Sequence, residues 1–168
     1  FLLSQLFTMA LQGVPAFYLQ AILASENDVS SFSKSGQRRD LNRERFNADT
    51  LFLTLDDRGS PASHILSTLN SAMRIRSGLN CFHPESPMKC LTKDRSDIVI
   101  FTRGEGKDKI WAVHNMTRSK ANIYLYKNLC INDLQIESKF KDCLSETLIT
   151  GSSFELTPYS VQWIKRFY

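Results

Sequence analysis

Apolar side chains at Leu2, Leu3, Leu6, Phe7, Ala10 and Leu11 recur with a helical period and form a wide stripe, which predicts a helix over 1–12 ended by Gly13. Val14-Pro15-Ala16-Phe17-Tyr18-Leu19 follows as a nearly continuous apolar run, the pattern of a strand buried on both faces in a parallel sheet. Pro15 is tolerable near its start, where a strand can lack a donor. Residues 20–61 are long, polar and aperiodic, with a short helical stretch over 48–55. A connection of this length after a buried strand is usually functional. Ser60-Pro61 then opens a helix, with serine as N-cap and proline at the first helical position. That helix carries Ile65, Leu66, Leu69, Ala72 and Met73 on one face and ends at Gly78 or Asn80.

The pattern changes at His83-Pro84-Glu85-Ser86-Pro87, a linker-like stretch. Beyond it, Ile98-Val99-Ile100-Phe101-Thr102 and Ile110-Trp111-Ala112-Val113-His114 read as strands joined by the turn residues Gly104-Glu105-Gly106, hence a hairpin. Residues 121–126 alternate, and the last strand is expected over 159–164. Several short antiparallel strands with polar turns point to a small β-sandwich. The first part has too few strands to close a sheet by itself. It reads as the end of a larger α/β domain followed by a complete small β domain, and the apolar opening on Phe1 leads us to expect a piece of a longer protein. Such a piece should leave an apolar patch uncovered on its first helix and strand.

Composition narrows this picture little. The chain has 168 residues, 42% hydrophobic and 23% charged, and so belongs to the ordinary globular class rather than the disordered one. Its net charge of +4 is too small to argue for nucleic acid without a concentrated patch. Cys81, Cys90, Cys130 and Cys143 form no C-x-x-C pair and are expected to be free thiols in a reducing cytoplasm. His64, His83 and His114 lack metal-ligand spacing, so no metal site and no cofactor is expected. The apolar opening is interrupted by Ser4, Gln5, Thr8, Gln12 and Pro15, which fits neither a signal peptide nor a membrane span. Trp111 and Trp163 read as core residues, and the sequon at Asn115 as a chance match.

One candidate patch remains, SGQRRDLNRERF at 35–46. From Lys34 to Arg45 it holds five basic residues, Lys34, Arg38, Arg39, Arg43 and Arg45, against Asp40 and Glu44, a local net of 5 − 2 = +3. The interleaved acids and the lack of aromatic stacking residues argue against a nucleic-acid module. No serine or cysteine nucleophile sits in a G-x-S-x-G elbow.

The segments GVPAFYLQAILASEND (13–28), GQRRDLNRERF (36–46), AMRIRSGLNCFHP (72–84) and LTPYSVQWIK (156–165) resemble, in order and approximate spacing, the C-terminal part of the α-amylase clan (glycoside hydrolase family 13). The resemblance is nearest to its sucrose phosphorylase and glucosylglycerate phosphorylase subgroup and covers essentially the whole chain. It implies an α+β fragment: the last βα unit of a (β/α)8 barrel over 1–83 (helix 7, strand 8, long loop, helix 8), then an all-β C-terminal sandwich domain over 84–168. The loop would lie on the barrel's C-terminal face, where such enzymes place their chemistry.

For function the resemblance implies a retaining α-glucoside phosphorylase, passing a glucosyl unit to phosphate and releasing glucose 1-phosphate. The family's N-R step matches Asn42-Arg43 and implies that Arg43 reaches the glucosyl unit; a guanidinium offers five donors in a planar fork and keeps its charge. Arg38 and Arg39 are weaker candidates, for an anionic acceptor or phosphate. The nucleophile and the acid/base are expected upstream, so no catalytic residue lies in this chain and the chain alone is expected to be inactive. Asp28, Asp40 and Glu44 read as loop-ordering partners of the arginines. The implied partners are an α-glucoside and inorganic phosphate, with no nucleic acid and no membrane. The setting is cytoplasmic, and the full-length enzyme could be a homodimer. Two other readings stay open: a hydrolase or transglucosidase of the same clan, and a non-catalytic carbohydrate-binding β-sandwich.

Overall fold

The computed structural model describes residues 1–92, 97–131 and 139–167. Helix α1 (Leu2–Ala10) opens the chain, followed by α2 (Leu19–Ile22), α3 (Val29–Ser35), a 3-10 turn at Arg38–Asn42, α4 (Ala48–Asp56) and α5 (Pro61–Ser77). The β part runs β1 (Met88–Cys90), β2 (Ile98–Arg103), β3 (Ile110–Asn115), β4 (Ala121–Tyr124), α6 (Leu125–Leu129), β5 (Lys139–Asp142), β6 (Leu148–Ile149), β7 (Ser153–Leu156) and β8 (Val161–Phe167). Packing groups Phe1–Pro15 with Ala72–Tyr168 as one compact unit and Ala16–Ser71 as another. Within the first unit α1 packs on β3 and β8.

In the first unit a six-stranded sheet in the order β1-β2-β3-β8-β5-β6 is antiparallel throughout its paired strands. β4 and β7 form a separate two-stranded sheet. The register of β2 on β3 sets Ile100 opposite Val113, and that of β3 on β8 sets Trp111 opposite Ile164. These side chains share one face and meet Ile123, Leu125, Leu129, Leu156 and Phe140 in a single core. The opposite face carries Phe101, Arg103, Ala112, His114 and Trp163. There Phe7 of α1 packs edge-on against Phe101 and His114, with ring centres 5.7 and 4.9 Å apart, and Phe82 lies 4.6 Å from Trp163. Burial on both faces explains why β3 is buried at every position.

The expected hairpin forms, each strand running one residue beyond its expected end. Its turn needs glycine at Gly104: φ is +70°, and a Cβ there would stand 2.8 Å from the Cys81 Cβ. Ser60 caps α5 as its sequence predicts, its Oγ accepting from the Ser63 N–H at 3.1 Å. Four expectations need correction. Residues 14–19 join neither sheet; 14–18 expose Val14, Ala16 and Tyr18 in alternation, and α2 starts at Leu19. A strand is held by the ladder of a neighbour, and no described strand lies beside this one. Val14 is 80% exposed, whereas α1 ends on the fully buried Met9 and Ala10, so the uncovered apolar surface is smaller on the helix than expected. The strand expected over 121–126 gives way to α6 at Leu125, because Leu125 and Leu129, four apart, both enter the core. Tyr159 takes a left-handed φ of 52°, so the last strand starts at Val161.

Trp111 and Trp163 are buried in the core, and all four cysteines are free thiols. Burial pushes Cys81 and Cys143 up to about 11. Asn115 is fully buried, its amide donating to the Ser119 and Thr157 carbonyls at 2.7 and 2.9 Å, which leaves the sequon inaccessible in the folded chain.

Candidate functional site

The arginine-rich stretch lies in the second unit and is built by local capping. Asp28 opens α3, its carboxylate accepting from the Ser31 N–H at 2.8 Å. The hydrogen bonds from Ser31, helped by Lys34 and Arg45 nearby, hold the Asp28 carboxyl below the usual carboxylate range. Gly36 closes α3 at φ 67°, donating to the Phe32 carbonyl at 2.8 Å. The chain then turns through Arg38–Asn42 and is tied back by the Asp28 N–H, which donates to the Leu41 carbonyl at 2.8 Å. Tyr18 adds a second tie, its hydroxyl donating to the Asn42 carbonyl at 2.8 Å.

These ties set the positions of the candidate residues. Arg43 follows the 3-10 turn, is exposed, and lines a recess of about 240 Å³ with Ser31, Lys34, Ser35, Asp40 and Arg45. Three cations and two hydroxyls thus face one concavity with a single carboxylate. That is chemistry suited to hydroxyl groups and to a carboxylate or phosphate on the same small ligand. Asn42 is exposed and contributes its carbonyl to the Tyr18 tie; its side chain does not line the recess. Arg38 and Arg39 are exposed and outside the recess, Arg39 standing 3.9 Å from Asp40. Exposed pairs at that distance contribute little. Glu44 turns instead to a neighbouring cavity of about 440 Å³, which it shares with Arg45, Glu26 and the apolar Leu23, Phe46 and Leu51.

Lys34 and Arg45 belong to the basic patch but carry no motif of their own. Only the closure of α3 onto the 3-10 turn brings positions 34, 43 and 45 together, and no sequence spacing advertises it. Among the described residues no group of three or more His, Cys, Asp or Glu could hold a metal ion, and no helix is long and apolar enough to cross a membrane.

No family model matches the chain. Over 166 residues it is 30% identical to a glucosylglycerate phosphorylase of Allomeiothermus silvanus, covering 98% of this chain and 26% of that protein. It is 27% identical to a glucosylglycerate phosphorylase of Escherichia coli K12, covering 98% of this chain and 28% of that protein. The chain therefore spans about a quarter of the length of the curated relatives it matches. Among solved structures, an Anoxybacillus α-amylase superposes with a TM-score of 0.70 at 12% identity, over 98% of this chain and 31% of its own. The isomaltulose synthase of Klebsiella gives 0.65 at 13% identity, over 99% of this chain and 38% of its own. Along nearly its whole length, then, this chain is a homologue of the glucosylglycerate phosphorylases, and its helices followed by an antiparallel β domain are the fold of α-amylase-family (glycoside hydrolase family 13) enzymes.

Proposed function

We propose that the chain is the C-terminal part of a retaining α-glucoside phosphorylase, with 1–83 ending its catalytic barrel and 84–168 forming its β-sandwich domain. The likeness to two glucosylglycerate phosphorylases over 98% of the chain carries this reading. The donor is glucosylglycerate, the acceptor phosphate, and the product glucose 1-phosphate. Arg43 grips hydroxyls of the glucosyl unit, and Asn42 holds the turn that aims it. The cationic recess of Lys34, Arg43 and Arg45 suits a substrate whose leaving part is a hydroxy acid, since a carboxylate placed there meets donors of matching charge. Arg38 and Arg39 remain at the rim as weaker anion partners. The nucleophile and the acid/base come from other segments of the full-length, cytoplasmic enzyme, which acts without a cofactor and can pair as a homodimer.

The test is release of glucose 1-phosphate by the full-length enzyme, with the 168-residue chain alone as a control expected to show no turnover. Arg43→Ala should lower kcat/KM by about tenfold to a hundredfold, the loss of charge-assisted hydrogen bonds of about 1.5–3 kcal/mol. Arg43→Lys should recover only part of it, because an ammonium lacks the planar fork. Glucose release that does not depend on phosphate would instead make the enzyme a hydrolase or transglucosidase of the same clan. Unchanged kinetics in Arg43→Ala would remove the residue from the site.

A further inference from the structure

Within the second unit, one side chain from outside the arginine stretch holds the peptide from which Arg43 departs. The Tyr18 hydroxyl donates to the Asn42 carbonyl at 2.8 Å, across 24 positions of sequence. That carbonyl belongs to the same planar peptide unit as the Arg43 N–H. The Arg43 N–H in turn donates to the Asp40 carbonyl at 3.3 Å, the closing bond of the 3-10 turn. The peptide is trans, so the two groups point to opposite sides and the two bonds together fix the rotation of the plane. The shorter of the two comes from Tyr18. Tyr18 is itself placed by α2, whose N-cap it is; its carbonyl accepts from the Ile22 N–H at 3.2 Å.

Beyond this plane Arg43 leaves helical geometry, with φ -128° and ψ 52°. Among the described residues no hydrogen bond or ion pair holds its guanidinium. The rotamers open to a side chain depend on its backbone angles, so Arg43 takes its direction from the peptide that Tyr18 holds. A phenylalanine would fill position 18 equally well; what tyrosine adds at this exposed position is the hydroxyl. We propose that Tyr18 is a positioning residue for Arg43: its hydroxyl fixes the Asn42–Arg43 peptide plane and thereby aims the guanidinium into the recess it shares with Lys34 and Arg45. The proposal rests on the reading of Arg43 as a grip on the glucosyl unit. Tyr18 acts on the substrate only through Arg43.

The experiment is a double-mutant cycle in the full-length enzyme, read as kcat/KM. Tyr18→Phe should lower kcat/KM by about threefold to tenfold, the span of one neutral hydrogen bond. In an Arg43→Ala background the same change should cost less than about twofold, because no guanidinium remains to be aimed. A role confined to holding the fold would instead lower both backgrounds alike. Arg43→Ala alone tests the reading beneath this one: unchanged kinetics there would remove both. A clear loss in Arg43→Ala with none in Tyr18→Phe would overturn the positioning role alone. So would an equal cost of Tyr18→Phe in the two backgrounds.

Discussion

Arg103→Met should destabilise the chain by about 3–5 kcal/mol, a large share of the roughly 5–15 kcal/mol that holds an ordinary domain. Arg103 is fully buried, and no carboxylate pairs with it among the described residues. Its partners are carbonyls: Nη1 donates to Ala10 at 3.1 Å and also to Leu11, and Nη2 donates to His83 at 2.9 Å. Arg76 works beside it, its Nε donating to Met9 at 2.9 Å and its Nη2 to Gly13 and Phe82 at 3.0 and 3.2 Å. The Phe82 ring lies 5.4 and 5.6 Å from the two guanidinium carbons. The carbonyls at the end of a helix have no partner within the helix and carry its negative pole. α1 has no basic residue in its last turn, so β2 and α5 supply the cations from elsewhere in the chain. Burial lowers the pKa of both guanidiniums, yet arginine keeps its charge.

Methionine at 103 would keep the bulk and orphan the Ala10 and Leu11 carbonyls, each at a cost of about 1–3 kcal/mol, whereas the His83 carbonyl keeps its hydrogen bond from the Ser86 N–H at 2.9 Å. Arg103→Lys should recover less than half of the loss, since one ammonium cannot span Leu11 and His83 together. Urea unfolding followed by tryptophan fluorescence measures both variants. A stability within about 1 kcal/mol of the wild type for Arg103→Met would show that water satisfies these carbonyls instead.

This cage also marks the limit of what the sequence discloses. The hairpin of β2 and β3 and the helix α5 are legible because each carries its own signal: a turn with glycines, and a serine-proline start with an apolar stripe. β1, β5, β6 and β7 escape because they are two to four residues long, too short for alternation to show. Arg103 and Arg76 pass for a polar strand end and a solvated helix end; their partners in α1, Ala10 and Met9, lie 93 and 67 positions away along the chain. The loop behaves the same way. Asn42 and Arg43 stand out as a motif, whereas Lys34 and Arg45 become part of the recess only through the Gly36 turn. Local rules disclose elements, and the partners that polar side chains choose across the fold stay hidden until the fold is known.

His114 makes the second large effect one of pH. Its ring is fully buried, stacked on Phe101 at 5.1 Å and met by Phe7 at 4.9 Å. Nδ1 lies 3.1 Å from the Val99 carbonyl and so carries the proton, while the buried Nε2 has no hydrogen-bond partner. Burial disfavours the imidazolium and pushes His114 from its ordinary 6.5 down to about 4, against a smaller opposing pull from the Val99 carbonyl. The unfolded chain therefore takes up a proton first as pH falls. The stability this histidine confers is complete above about 6.5 and declines between 6.5 and about 4, at roughly 1.4 kcal/mol per pH unit, about 3 kcal/mol in all. His114→Phe keeps a ring between Phe7 and Phe101 and has nothing to titrate. Carboxylates titrate in both proteins, so the difference between their stability curves isolates the histidine. In urea unfolding from neutral pH down to about 4, the wild type should lose about 3 kcal/mol more than His114→Phe. Parallel curves would mean that His114 is charged or hydrated in the folded chain, and that the α1-facing side of the sheet is open to water.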